Sequence, residues 1–299
     1  MARRKKGEVV NGWVILDKPL GLGSTQAVSA VRRITNAQKI GHGGTLDPLA
    51  SGILPIGMGE ATKAMPYIVD ASKDYDFTIR WGAETSTDDL EGEMTASNDV
   101  RPAEAEIAAI LPRFTGSITQ VPPAYSAIKI DGERAYARVR AGEEVEMPSR
   151  TVEIHALTLV SHNAEKGETM LSVTCGKGTY IRALGRDIAR ALGGHGHLGA
   201  LRRTRVGPFS LESAISLEKL TELGHSAPAS DYVLSIMTAL DDIPALAVSE
   251  AEADRIRCGQ QIRVSGHLSG LHVLTYGGTP LALATAAQGL MVLERVFNL

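Results

Sequence analysis

The chain has 299 residues, of which 43% are hydrophobic and 22% charged, proportions that fit one large folded domain or a large one with a small companion. Its two cysteines, Cys175 and Cys258, form no CxxC pair, which argues against a disulfide framework and a thiolate-rich metal site. The basic start Met-Ala-Arg-Arg-Lys-Lys is followed by no apolar signal core, and no run nears the ~18 apolar residues that span a bilayer, so the expected location is the cytoplasm, away from membranes.

The formal net charge is −3, yet the average hides a segregation. Residues 84–106 carry eight acids and one arginine, a net of −7, whereas 176–205 carry seven basic side chains and one acid, a net of +6. The basic stretch is expected to be either a local phosphate-contacting surface or a solvated helix face.

In chain order, residues 24–34 predict a helix capped by Ser24, with Val28, Val31 and Ile34 at helical spacing and Arg32 and Arg33 beside them. Next comes Gly41-His42-Gly43-Gly44-Thr45-Leu46-Asp47-Pro48, a glycine-rich loop ending on a carboxylate in an apolar stretch. Such a carboxylate costs stability unless something uses or pairs it. Pro48 pushes Asp47 out of the α region, and the three glycines let a ligand approach the main chain. That suits a nucleophile or base working on a bulky substrate. The same Asp-Pro pair also fits a helix start, aspartate as cap and proline in the first turn, and the local residues leave both readings open.

Residues 74–81 alternate, Tyr75, Phe77, Ile79 and Trp81 on one face of a strand. Pro102, Glu104 and Glu106 open a helix that Pro112 closes. The pattern breaks between 120 and 150, where prolines, glycines and a basic-aromatic mixture suggest an arm leaving the core. Strands are expected at 151–160 and 169–175, then a helix at 179–192 that stacks Arg182, Arg186 and Arg190 along one face and stops at Gly193-Gly194. His195-Gly196-His197 lacks a third ligand and reads as a polar loop rather than a metal site. From about 243 the character changes: Ser249 and Glu252 form a capping box for a short helix, and four β-like pieces follow, with Gly277-Gly278 as a hairpin turn. Strands and helices interspersed without steady alternation predict an α+β fold.

Three segments combine into a resemblance. They are the run from Gly41 through Asp47-Pro48 to Lys63; Gln120-Val-Pro-Pro-Ala-Tyr-Ser-Ala-Ile-Lys129 with Gly132, Arg134, Ala135 and Tyr136; and Lys177-Gly-Thr-Tyr-Ile-Arg182 with Leu201-Arg-Arg-Thr-Arg205. With Asp17-Lys18-Pro19 near the start, the chain resembles bacterial tRNA pseudouridine-55 synthases of the TruB type over about residues 11–210. Gly23 and Val139 depart from the usual pattern, away from the proposed chemistry.

The resemblance implies a mixed, mostly antiparallel sheet flanked by helices over 1–242, with the arm at about 120–150, and a small mostly-β PUA-like RNA-binding module over 243–299. It implies isomerisation of a flipped T-loop uridine, with no cofactor and no metal. Asp47 matches the catalytic carboxylate, Tyr75 the aromatic that stacks on uracil, and Arg182 the arginine that pairs with the carboxylate. His42 matches a residue that fills the space left by the flipped base; Tyr180 and Leu201 line the uracil pocket, and Lys18 and Pro19 shape its floor. Without the resemblance, Tyr75, Tyr180 and Leu201 read as core and Arg182 as one of three solvated arginines.

The expected partner is the T-arm of tRNA. Lys129, Arg134, Arg138, Arg140 and Arg150 would grip the RNA backbone from the arm, and Arg202, Arg203 and Arg205 from the opposite side. No protein partner is implied, and a monomer is expected because no long apolar surface helix stands out. The rival readings are a synthase acting on another RNA, an RNA-binding or RNA-folding protein without essential catalysis, and a hydrolase, which lacks a clear second acid or base.

Overall fold

The computed structural model describes residues 7–126, 128–130 and 132–299; the basic start at 1–6 and position 127 of the second motif segment lie outside them. Eight longer strands build the main sheet: β1 (Gly12–Lys18), β2 (Ile40–His42), β3 (Ala50–Met58), β4 (Lys73–Trp81), β5 (Gly116–Gln120), β6 (Arg150–Asn163), β7 (Glu168–Cys175) and β8 (Gly196–Val206). The order across it is Ile215–Ser216, β1, β3, β8, β4, β7, β6, β5, with β2 on β3 and Phe209–Ser210 on β8. The β1–β3, β3–β2, β4–β7, β6–β7, β5–β6 and β4–β8 pairs are antiparallel, and β8 runs parallel to β3.

Each face of this sheet is covered. On one, Val14, Leu16, Leu54, Ile56, Tyr75, Phe77, Ile79 and Trp81 pack against helices α1 (Ser24–Thr35) and α5 (Ile181–Ala191). On the other, Trp13, Ile15 and Ile53 meet Ile68 of α2 (Met65–Asp70) together with Val273, Leu283 and Phe297 from the tail. Strand β1 is therefore buried along most of its length, which explains its unbroken apolar run. Each of these large side chains taken fully out of water contributes ~1.5–3 kcal/mol.

Strand β4 alternates as expected, and α3 (Glu104–Ile110) follows, with the Glu106 carboxylate accepting the Ala103 N–H at 2.7 Å. Strand β6 changes face between Ile154 and Leu157 because its pairing with β7 shifts register between Ile154 and Ala156. The arm holds a small hairpin, Lys129–Ile130 with Glu133–Arg134, and helix α4 (Ala135–Arg140). Helix α6 (Leu217–Ser226) packs beside α1.

The tail builds a second, five-stranded sheet around β9 (Gly270–Tyr276), β10 (Thr279–Ala287) and β11 (Leu290–Val296), with helix α7 (Glu250–Arg257) against it. Ser249 and Glu252 form the capping box at the start of α7. No helix among the described residues is long and apolar enough to cross a membrane.

Candidate active site

Asp47 stands at the end of the loop that leaves β2 and enters β3. Its carbonyl accepts the Ala50 N–H at 3.0 Å, so Asp47-Pro48 makes a tight turn into a strand and starts no helix. Three anchors hold this loop. Ser24 was expected to cap α1, but Gly23 takes the cap position and the Ser24 hydroxyl turns away to bond the Leu46 N–H and carbonyl, each at 2.8 Å. The Gly21 N–H donates to the Pro48 carbonyl at 2.8 Å. Arg203, 1% exposed, donates to the carbonyls of Ile53, Thr45 and Gly44 at 2.7, 3.3 and 3.1 Å.

The loop glycines serve packing more than ligand approach. A Cβ on Gly43 would meet Ile68 at 2.6 Å; Gly44 adopts a φ of +116° and is the one that faces the cavity. At Gly52 the β8 backbone passes so close that a Cβ would collide with the Arg203 carbonyl, which lets Arg203 reach under the loop.

Arg182, the second residue of α5, is 5% exposed. Its Nη1 and Nη2 donate to the carbonyls of Thr87 and Tyr125 at 2.8 and 3.0 Å, and its Nε lies 3.0 Å from Asp47 Oδ2 and 3.7 Å from Asp89 Oδ2. Two carbonyls thus fix the guanidinium plane before it meets the carboxylate. The rest of the arginine face is paired in the same way. Arg186 reaches Asp88 at 2.8 Å and Arg190 reaches Glu84 at 2.6 Å. Three arginines of the basic stretch thus pair with acids of the acidic stretch, Arg182 and Arg186 in the interior and Arg190 with its side chain half exposed. Burial pushes the Asp88 carboxyl up to about 6 against the pull of Arg186, while the Arg190 hydrogen bonds hold Glu84 down at about 2.

Of Arg202, Arg203 and Arg205, Arg203 differs from expectation by being buried, while the other two stay about a third exposed. Arg203 is sealed beneath the Asp47 loop; Arg202 forms an ion pair with Asp17 and Arg205 one with Asp74, at 2.8 and 2.7 Å. Their guanidinium groups are engaged within the protein because the neighbouring strands place carbonyls and carboxylates opposite them. His195 Nδ1 lies 2.9 Å from Glu84 and His197 Nδ1 2.8 Å from the Ala83 carbonyl, and no metal-ligating cluster occurs among the described residues.

Beside Asp47 opens a cavity of about 570 Å³, lined by Tyr75, Tyr180, Leu201 and Arg182 among others. That volume lies within the ~300–1,000 Å³ of small-ligand sites. Burial raises the Tyr75 phenol above its ordinary value, so it remains protonated at neutral pH. Lys73 donates to the carbonyls of Val69 and Ala71, both at 2.6 Å, closing the end of α2 beneath the cavity, and burial pulls its ammonium down to about 8.

Lys18 is fully buried, bonded to the carbonyls of Pro19 and Leu22, and likewise drawn down to about 8 by burial. Pro19, expected at the pocket floor, is exposed and is not among the residues lining the cavity. His42 is half-buried on β2 and does not line the cavity; burial lowers its pKa and keeps the ring neutral at pH 7. Lys129 and Arg134 sit exposed on the arm hairpin. Arg150 lies at the cavity mouth with its guanidinium 4.7 Å from the centre of the Tyr180 ring.

Asp89 and Lys73 were missed in the sequence, Ser24 was read only as a helix cap, and Lys177 only as part of the basic stretch and its motif. The opposite charges of 84–106 and 176–205 carried the signal for Asp89.

The sequence matches the family described as TruB family pseudouridylate synthase (N terminal domain) over residues 32–181, and tRNA pseudouridylate synthase B C-terminal domain over 182–243. The chain belongs to the TruB family. Relatives in that family include tRNA pseudouridine synthase B of Bradyrhizobium diazoefficiens, 51% identical over 99% of this chain and 88% of the relative. The enzyme of the same name from Caulobacter vibrioides is 56% identical over 88% and 84%. In structure the chain is similar to a Cbf5-Nop10-Gar1 complex, with a TM-score of 0.76 and 26% identity over 97% of this chain and 85% of that one. An archaeal box H/ACA sRNP Nop10-Cbf5 complex shares the fold at a TM-score of 0.72 and 22% identity, covering 99% and 92%. The mixed, mostly antiparallel sheet flanked by helices is thus the TruB-type fold. The seam between the two family matches falls within α5, whose first turn carries Arg182.

Proposed function

We propose that this protein isomerises uridine to pseudouridine in tRNA, at position 55 of the T-loop, with Asp47 acting on the target nucleotide. The observation that carries the reading is the Asp47 carboxylate held 3.0 Å from the immobilised Arg182 guanidinium at the edge of a cavity of about 570 Å³, roomy enough for a nucleotide and walled by Tyr75 and Tyr180. In the reaction the N1–C1′ bond breaks, the uracil turns, C5 bonds C1′, the C5 proton leaves and N1 gains one. Atoms and electrons balance within the substrate, so the reaction requires no redox partner. The protein's part is orientation and electrostatics: Arg182 holds Asp47 in place, and the walls offset the stacking lost when the base leaves the T-loop, a few kcal/mol.

Residues 1–242 act as the catalytic unit and 243–299 as a small RNA-binding module, with Lys129 and Arg134 on the arm reaching the T-arm backbone. The enzyme works as a cytoplasmic monomer. The test uses a tRNA transcript tritiated at uridine C5. Wild type should release tritium to water without freeing uracil, and Asp47→Asn should bind the tRNA and release none. Release that persists when uridine 55 is replaced would move the target elsewhere; no release from wild type would refute the reaction.

A further inference from the structure

Five cations line the cavity: Lys73, Arg150, Lys177, Arg182 and Arg203. Three of them are held in place by carbonyls of the protein, although the Arg182 Nε, close to Asp47, has no hydrogen-bond partner among the described residues. Lys73 donates to three carbonyls, Arg182 to two carbonyls beside its carboxylate, and Arg203 to three more carbonyls from a fully buried position. Moving any of them onto a substrate phosphate would strand buried carbonyls, a cost that opposes the exchange.

The remaining two are held loosely, and both converge on one loop, residues 176–180. Lys177 pairs with Asp70 at the end of α2 at 3.0 Å, with the two side chains 63% and 56% exposed, an arrangement water screens strongly. Its neighbour Gly178, at φ +83°, gives its carbonyl to Arg150, which otherwise rests on the Tyr180 ring and has an Nε with no hydrogen-bond partner among the described residues. A cation parked on a ring face and another on a solvated carboxylate, at the mouth of a cavity for a flipped base, are both free to exchange onto an anion.

We propose that Lys177 and Arg150 form a phosphodiester site at the cavity mouth, gripping the RNA backbone beside the nucleotide whose base enters. This rests on the reading that the cavity receives a flipped nucleotide. Lys177 leaves Asp70 and Arg150 leaves Tyr180 as the phosphate arrives, freeing the Tyr180 ring to face the base. Asp70 is then a competitor for Lys177, which makes the resting contact a built-in brake on affinity.

The experiment measures binding of a T-arm stem-loop RNA by Asp47→Asn protein, so that turnover does not intervene, across a range of salt. Adding Lys177→Met should weaken binding about tenfold at low salt and reduce the log–log salt slope by about one, the value for a single lost phosphate contact. Replacing the flanking linkage that the site grips with an uncharged methylphosphonate should cost the parent at least a similar factor, cost the Lys177→Met variant less, and cost a Lys177→Met/Arg150→Met double variant nothing further. Arg150→Met should behave in the same way, and Asp70→Asn should tighten binding about twofold to fivefold. A Lys177→Met protein that keeps the parent's salt slope, or a double variant that loses as much affinity as the parent at each neutral linkage tried, would overturn the site. Tritium release by wild type on the same RNA is scored separately, so a failure of the phosphate site is distinguishable from a failure of the reaction itself.

Discussion

Ser24→Ala removes one hydroxyl that is remote from any substrate, yet it should impair catalysis. The hydroxyl holds both the N–H and the carbonyl of Leu46, each at 2.8 Å and each buried, one residue before Asp47. Alanine fits the first turn of α1 without strain, so the loss comes from two stranded backbone groups. At roughly 1–3 kcal/mol for each buried group left unpaired, and some relaxation, the fold should lose about 2–4 kcal/mol. That corresponds to a fall in Tm of roughly 3–6 °C for a protein of this size. A loop slackened by an ångström misplaces the carboxylate, and such errors cost up to about a hundredfold in rate. Thermal unfolding and C5 tritium release, measured on Ser24→Ala and wild type, should show both losses with kcat falling more than KM rises. Ser29→Ala on the same helix is the control: its hydroxyl bonds only the Thr25 carbonyl one turn back, on the exposed side. Ser24→Ala with wild-type Tm and kcat would refute the claim that α1 holds the Asp47 loop.

Arg203→Met should cost about 3–5 kcal/mol in chemical denaturation because two loop carbonyls and one on β3 lose their donor, while the salt slope of tRNA binding by the folded fraction stays that of wild type; a reduced slope would return Arg203 to the RNA surface. Glu84 is held at about 2, below its ordinary 4.5, chiefly by Arg190, so its stabilisation is present above pH 4.5 and disappears as pH falls through 2. Glu84→Gln should accordingly be less stable than wild type by ~1–3 kcal/mol at pH 7, a range discounted because Arg190 is half exposed, with the gap closing in acid; a gap independent of pH would contradict the assignment. Of the two thiols, exposed Cys258 should react with a thiol reagent in the native protein, while Cys175, buried and pushed up to about 11, should react only on unfolding.

The elements whose faces differ were legible in the sequence. Strand β4, half on the core, and helix α5, with Ile181, Leu184 and Ile188 inward, each carried the right period, as did the capping box at Ser249. Strands β1, β3 and β8 did not. The first two lie between covered faces and read as continuous apolar runs without alternation. Strand β8 hides its period behind register shifts at Leu198/Ala200 and Arg203/Arg205. Of the candidate site, the motif resemblance indicated Asp47, Tyr75, Arg182, Tyr180 and Leu201, which the fold brings to one cavity edge. The fates of the arginines could not be read, because a guanidinium bound to carbonyls from β3 and one facing RNA have the same local sequence. Only the chain's path decides which carbonyls lie within reach.

The cluster that joins Trp13 and Ile15 of β1 to Val273, Leu283 and Phe297 has a consequence for how the protein is made. The first strand emerges from the ribosome early, but the side chains that cover one of its faces are among the last to be synthesised. Contacts of such long sequence separation form late, and until then an apolar flank of the sheet stands open to water. Cutting the chain near residue 242 would make that exposure permanent, so a shortened version should aggregate during expression rather than yield a smaller working enzyme. The tail thus acts as a closing step in assembly, independent of any RNA it touches.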